Sequence, residues 1–306
     1  MRRAASPRRL KSPDATARAF DVARRLVMSL PVVLSFTAAV TSTSVRAQTS
    51  QQTLTPIARE IARERARLGS SETEERRDAV TMLGAMTRPD ASRAAVPGLS
   101  DAAPVVRATA ARAVLSLPAD EAARLIVPLL RDKQEFVRRE AAYALGLARS
   151  RVAVEDLIPL VARDKEAGVR GAAAVALGQI GDARGVPALS EALGRRVSAS
   201  GILNRATFRK TEENDFVRRA AAVSLGQIGS REGLPALVAA LTNERAGDDV
   251  RRESARALGL IADPAAAPAL RAALATRDPY LSEIAFEALR RIDPAQATRP
   301  AQKSVR

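Results

Sequence analysis

The sequence predicts an all-α protein, a right-handed α-solenoid of about seven helical hairpins whose last hairpin is incomplete. Three observations lead there. A ten-residue segment recurs along the chain, ending at residues 84, 115, 146, 178, 226, 259 and 290, at intervals of 31, 31, 32, 48, 33 and 31. A second apolar run carrying one proline follows each of the first six copies, so the repeating unit is two helices and not one. Aromatic residues make up only 3% of the chain and Trp is absent, so the core has to be built from Ala, Leu, Val and Ile, side chains that suit closely stacked helices.

The elements follow in order. Residues 1–25 are Arg-rich, residues 26–45 are uncharged and mostly apolar, and Val45-Arg46-Ala47 precedes Gln48. That order of basic region, apolar region and small-residue site predicts a signal peptide over 1–47, cleaved between Ala47 and Gln48. The expected location is therefore outside the cytoplasm, periplasmic or extracellular. The alternative is a retained N-terminal membrane anchor, which Pro31 and the Ser/Thr run at 41–44 disfavour. Residues 48–70 supply a capping helix, with Ile57, Ile61 and Leu68 on one side of the stretch 54–68. Ser71 and Glu74 have the spacing of a capping box for the first repeat helix.

The solenoid occupies 71–294. In VRREAAYALG (137–146), Val137, Ala141, Ala144 and Leu145 form one apolar stripe at helical spacing. The closing glycines at 84, 146, 178, 226 and 259 are read as helix ends, where a left-handed residue is favoured. Pro97, Pro128 and Pro159 lie 13 residues after the segment end, a turn inside the second helix, and should bend it. Pro187, Pro235 and Pro268 lie 9 residues after it, where proline opens a helix without harm. After the solenoid, 295–306 is a polar, basic tail expected to be disordered.

The pattern V-R-x-x-A-A-x-A-L-G-x-I-G-D…V-P-A-L-x-x-A-L, clearest as VRGAAAVALGQIGDARGVPALSEAL at 169–193, resembles the HEAT-like repeat of the phycobilisome-lyase type. The resemblance spans about 72–294. It implies the armadillo-like helical solenoid and, with less force, a role in binding other proteins, because fold alone does not fix function. Similar repeats also occur in deoxyhypusine hydroxylase, which holds two irons through His-Glu pairs. This chain has no His, so no position can inherit those ligands. No bilin-handling residue of the phycobilin lyases can be matched either.

Composition narrows function further. With no Cys and no His, thiol nucleophiles, Ser-His pairs and the commonest metal ligands are missing, so no enzyme, cofactor or metal is expected. The net charge of +15 is divided between +7 in residues 1–47 and +8 over the remaining 259 residues, where acidic and basic groups alternate. There is no arginine stripe with stacking aromatics, so nucleic acid is not the expected partner. Asp132, Asp164, Asp215 and Asp248 each stand just before a first helix, and Arg138, Arg170, Arg218 and Arg251 in its first turn. Because the pair repeats with the fold, it is read as a structural ladder joining neighbouring hairpins. The 48-residue interval is different. It inserts about sixteen residues within 195–214, where Arg195, Arg196, Arg205, Arg209 and Lys210 surround Ile202, Leu203 and Phe208. Basic groups around apolar anchors suit a partner protein. The expectation is a non-catalytic scaffold that binds through its concave face, this insertion, or both; the alternatives are an enzyme or enzyme-accessory protein related to the phycobilin lyases, as the resemblance implies, and peripheral binding to an anionic membrane surface.

Overall fold

The computed structural model describes residues 55–198, 210–295 and 297. The leader at 1–47 with Ala47 and Gln48, the insertion residues Ile202, Leu203, Arg205, Phe208 and Arg209, and the tail from 298 lie outside the described residues.

The described chain is an α-solenoid. Helix α1 (Pro56–Arg67) starts on Thr55, whose hydroxyl accepts the Ala58 N–H at 3.2 Å. Ile61 and Leu68 pack on the core, and α1 lies against the first hairpin. The hairpins follow as α2 (Thr73–Ala85) with α3 (Pro89–Ala95), α4 (Pro104–Ala113) with α5 (Ala119–Ile126), α6 (Glu135–Ala148) with α7 (Val154–Arg163), and α8 (Ala167–Ile180) with α9 (Val186–Gly194). After a break come α10 (Asp215–Ile228) with α11 (Leu234–Thr242), α12 (Asp248–Ile261) with α13 (Ala267–Leu274), and α14 (Pro279–Ile292) without a following partner helix among the described residues. The first helices α2, α4, α6, α8, α10, α12 and α14 stack in chain order, and from the second hairpin on each second helix packs on the first helix of the next hairpin, α5 on α6, α7 on α8, α9 on α10, α11 on α12 and α13 on α14.

The stack is held by apolar burial. Leu83, Leu145, Leu177, Leu225, Leu258 and Leu289 repeat at one position of the first helices, all at most 1% exposed. Leu157, Leu189, Leu237 and Leu270 answer them from the second helices. Each fully buried leucine contributes roughly 1.5–3 kcal/mol. The first helices also bury alanines such as Ala79, Ala110, Ala141 and Ala173, all 0% exposed.

The repeat glycines are not helix ends. Gly84, Gly146, Gly178, Gly226 and Gly259 lie inside their helices, which run on beyond them. They sit where one first helix crosses the next: a Cβ on Gly226 would come within 2.9 Å of the Ala257 Cα, and one on Gly259 within 2.8 Å of the Ala288 Cα. The left-handed residue comes three positions later, at Arg149, Gly181, Gly229 and Ala262, with φ of 54°, 72°, 71° and 54°. The expected capping box also differs. Ser71 and Glu74 do not form it; the Ser70 hydroxyl accepts the Glu72 N–H at 3.1 Å and donates to Glu75 at 2.6 Å.

The prolines act through their missing N–H. In the first two hairpins the α-helix stops immediately before the proline and tightens into 3-10 turns, Val96–Ser100 with Pro97 and Val127–Arg131 with Pro128. Pro159 stays inside α7. Pro187, Pro235 and Pro268 sit in the first turn of α9, α11 and α13.

Candidate functional site

A chain of arginines runs along one end of the first helices and leads to the insertion. Arg107 on α4 grips Asp132 with two hydrogen bonds, 2.7 Å from Nε and 3.0 Å from Nη2. Its Nη1 donates to the carbonyls of Asp101 and Ala102 at 2.8 and 3.0 Å. The same fork is made by Arg76 on Asp101 (2.7 and 2.9 Å) and by Arg138 on Asp164 (2.7 and 3.0 Å). Each aspartate also accepts the N–H two residues on, those of Ala103, Gln134 and Glu166. These three turns between hairpins are thus fixed from both sides. Asp101 is held below the ordinary carboxylate range, first by the hydrogen bond from Arg76. At Asp132 and Asp164 burial works the other way, but the arginine and backbone hydrogen bonds outweigh it and both are lowered.

At the insertion the ladder changes. Arg170 continues it, but its acceptor is Glu213 and not Asp215: Nε to Oε2 is 3.0 Å and Nη2 to Oε1 is 2.6 Å. The Glu213 side chain is fully buried, and Arg195 approaches it at 3.6 Å. The Glu213 N–H donates to the Arg195 carbonyl at 2.9 Å. Just beyond, β1 (Arg196–Ser198) and β2 (Lys210–Glu212) pair antiparallel, Arg196 opposite Glu212 and Ser198 opposite Lys210. The insertion therefore leaves the solenoid as a two-stranded ribbon closed at its root by Arg170, Glu213 and Arg195.

Past the insertion the expected rungs are replaced. Arg218 turns back to donate from Nε to the Leu193 carbonyl at 3.1 Å and lies 3.6 Å from Asp215 in its own helix. Arg251 likewise donates to the Leu241 carbonyl at 3.1 Å. The physical reason is loop length. After α9 and α11 a longer segment replaces the direct turn into an aspartate, and the arginine satisfies the last carbonyls of the second helix instead. Asp248 begins α12 and is exposed. The forward rung there is made by Arg252 on Asp278, at 2.8 and 3.0 Å, with the guanidinium carbon 5.2 Å from the centre of the Tyr280 ring.

Beside the ribbon an open cavity of about 820 Å³ lies between α9 and α11. Among the described residues Arg195, Arg196, Arg218 and Arg245 line it, and no carboxylate does. Its apolar part is Leu193, Ala236, Ala239 and Ala240. The Ser190 hydroxyl also lines it and is buried without a hydrogen-bond partner. Arg195 and Arg218 are committed to the frame, Arg195 through the Val161 carbonyl and Glu191 as well as Glu213. Arg196 and Arg245 are exposed. Of the residues expected to bind a partner, Arg195 and Arg196 meet at this cavity and Lys210 lies in β2. Sequence reasoning missed Glu213, Ser190 and Arg245. For Glu213 a signal existed: a carboxylate placed directly before a first helix. For the other two none did.

The sequence matches the HEAT-repeat family over residues 62–146, 123–200 and 206–290. The chain belongs to that family. No curated protein matches it in sequence. Among solved structures it is similar to an engineered protein at 23% identity, covering 76% of this chain and 68% of that one, with a TM-score of 0.51. It is also similar to the complex of CpcE and CpcF of phycocyanin lyase from Nostoc (23% identity, 85% of this chain and 92% of that one, TM-score 0.45). Human deoxyhypusine hydroxylase in complex with glycerol is similar at 22% identity over 76% of this chain and 84% of that one, with a TM-score of 0.38. These likenesses concern the fold.

Proposed function

We propose that this HEAT-repeat protein is a non-catalytic interaction scaffold of the cell envelope, exported by its N-terminal leader, which holds a partner protein at the 195–214 insertion. The observation that carries the reading is the root of that insertion. There a fully buried Glu213 takes two hydrogen bonds from Arg170 and Arg195 closes the other side, so the rung that completes the arginine ladder also anchors the base of the insertion. Burying charge is costly unless it is fully paired, so the pairing keeps the ribbon in one orientation. A ribbon root held in this way loses less freedom when a partner binds against it. The lack of His and Cys supports a binding role over a catalytic one.

Affinity capture from a cell-envelope extract tests the proposal. One bait is the intact chain. In the other, residues 199–209 are replaced by Asn-Gly, which closes a two-residue hairpin on the existing ribbon. A protein retained by the intact bait alone supports the reading. A partner held equally by both moves binding to the helical faces, and retention of lipid vesicles in place of protein replaces the scaffold with a membrane-surface role.

A further inference from the structure

We infer that the groove along α4, between α2 and α6, receives an amphipathic helix of another protein, with an acidic side chain of that helix docked on Arg112. This surface is separate from the insertion and does not depend on it. The groove exists because one repeat breaks the pattern of the crossings. Where α2 crosses α4, a Cβ on Gly84 would come within 3.0 Å of the Ala113 Cα, and Gly146, Gly178, Gly226 and Gly259 hold the same place at the other tight crossings. In α4 that place belongs to Leu115, whose side chain keeps α6 from closing in, and α4 has 10 residues where α6 has 14. The result is an open cavity of about 640 Å³. Val105, Ala108 and Thr109 form its floor on α4, with Thr81 and Ala85 on the α2 side and Phe136 on the α6 side.

The lining decides between kinds of occupant. Three helices face the groove with the hydrogen bonds of their backbones already made. The two hydroxyls are spent as well: Thr81 donates to the Arg77 carbonyl at 2.9 Å and Thr109 to the Val105 carbonyl at 2.8 Å. Even at the early end of α4 the Ala113 carbonyl accepts from the Ser92 hydroxyl, at 2.6 Å. An extended peptide would bury N–H and C=O groups here with nothing to pair them, which is costly. A helix satisfies its own backbone and presents apolar side chains at i, i+3 or i+4 and i+7, the pattern that an apolar groove reads. One charge at the rim remains to be answered. Glu140 lies 3.7 Å from Arg139, whereas Arg112 is exposed and has no ion-pair partner among the described residues. A guanidinium grips a carboxylate with two parallel hydrogen bonds, so the helix that fits carries Asp or Glu beside its apolar stripe.

The test is a selection on the full chain from a displayed random library of peptides about four helical turns long, followed by fluorescence anisotropy with the most enriched peptide. The expected consensus has apolar residues at helical spacing and an acidic residue beside them. Thr81→Arg, which puts a charge into the groove, should abolish binding. Arg112→Glu should weaken it about ten- to hundredfold, and the peptide with its acidic residue changed to Lys should bind that variant best. Arg124→Glu, the same change of charge elsewhere on the surface, should stay within about twofold. All three positions are exposed, and circular dichroism should show unchanged melts. The chain with 199–209 replaced by Asn-Gly should bind the peptide as the parent does, which keeps this result apart from the fate of the insertion reading. A consensus of period two or rich in proline overturns the inference, as does no enrichment over an unrelated protein. Binding that survives Thr81→Arg, or equal losses in Arg112→Glu and Arg124→Glu, overturns it too. Self-association of the chain that Thr81→Arg abolishes would assign the groove to a second copy and overturn it likewise.

Discussion

Gly259→Ala sets two known effects against each other. Alanine is the better helix former by about 1 kcal/mol in a helix interior, and residue 259 lies within α12. On an isolated helix the substitution would stabilise. In the stack its Cβ would come within 2.7 Å of the Ala288 Cβ and 2.8 Å of the Ala288 Cα, where ordinary contact begins near 3.4 Å. The Cα cannot move aside as a side chain can, so α12 and α14 must separate by some tenths of an ångström. That opens the contact around Leu258 and Leu289, both fully buried. Overpacking of this kind costs about 1–3 kcal/mol, so the net expectation is a loss of about 1–2 kcal/mol. Gly168→Ala in α8 is the counterpart. There a Cβ would meet only the flexible Arg139 side chain, Cδ at 3.7 Å and Nη1 at 3.9 Å, so the helix preference should act alone and stabilise by about 0.5 kcal/mol. Urea unfolding followed by far-ultraviolet circular dichroism reads both. A Gly259→Ala midpoint at or above that of the parent would refute the close crossing of α12 and α14. Equal losses in the two variants would mean that the effect does not come from the crossing.

Three further outcomes are expected. Leu177→Asp places a carboxylate at a position 1% exposed and should cost more than about 3 kcal/mol; an unchanged melting profile would sink the stacked core. Arg138→Ala leaves the Asp164 carboxylate, 9% exposed, without its fork, and should cost about 3 kcal/mol, whereas Arg124→Ala on an exposed face should cost little in the same urea titration. Acid stability has a defined sign. Asp101, Asp132, Asp164 and Asp278 are lowered, and Asp182 falls to about 2, first through the hydrogen bond from the Arg184 side chain. Folded values below unfolded ones give stability that is complete above the unfolded range near 3.8 and lost as pH falls towards 2. Thermal melts should therefore hold steady from neutrality to about pH 5 and drop steeply below about pH 4, and Asp182→Asn should lessen the drop.

The helical hairpins and the site of the insertion were legible because both are properties of spacing. An apolar stripe that returns every 31 residues announces a stack, and one interval of 48 marks what the stack does not need. The glycines misled because a glycine at a helix crossing and one at a helix end look alike within a single repeat. The residue that does end the helix is Arg149, Gly181, Gly229 or Ala262, too varied to stand out. The arginine ladder was legible as far as Arg138–Asp164, where turns keep one length. It failed at Arg218 and Arg251 because the pattern cannot say which way a guanidinium turns once the loop beside it lengthens. Ser190 and Arg245 were invisible for a different reason. They come from separate hairpins, and only the stacking of α9 on α11 brings them to one cavity.

The change of acceptor at Glu213 bears on how the insertion relates to the fold. An inserted segment that merely interrupted the array would leave Arg170 without its carboxylate, because the aspartate that ends each earlier turn has no counterpart directly after α9. A buried arginine with no anion is expensive. Instead Glu213, at the far end of the insertion, enters the vacated place with one more methylene of reach and takes the same bidentate fork, 3.0 and 2.6 Å. Its N–H then ties to the Arg195 carbonyl at the near end. One residue thus closes the ladder and the ribbon together. The ribbon can be extended or shortened beyond Ser198 and Lys210 without disturbing the rung, whereas the rung cannot be lost without freeing the ribbon. That asymmetry separates what the solenoid needs for stability from what the insertion is free to vary for recognition.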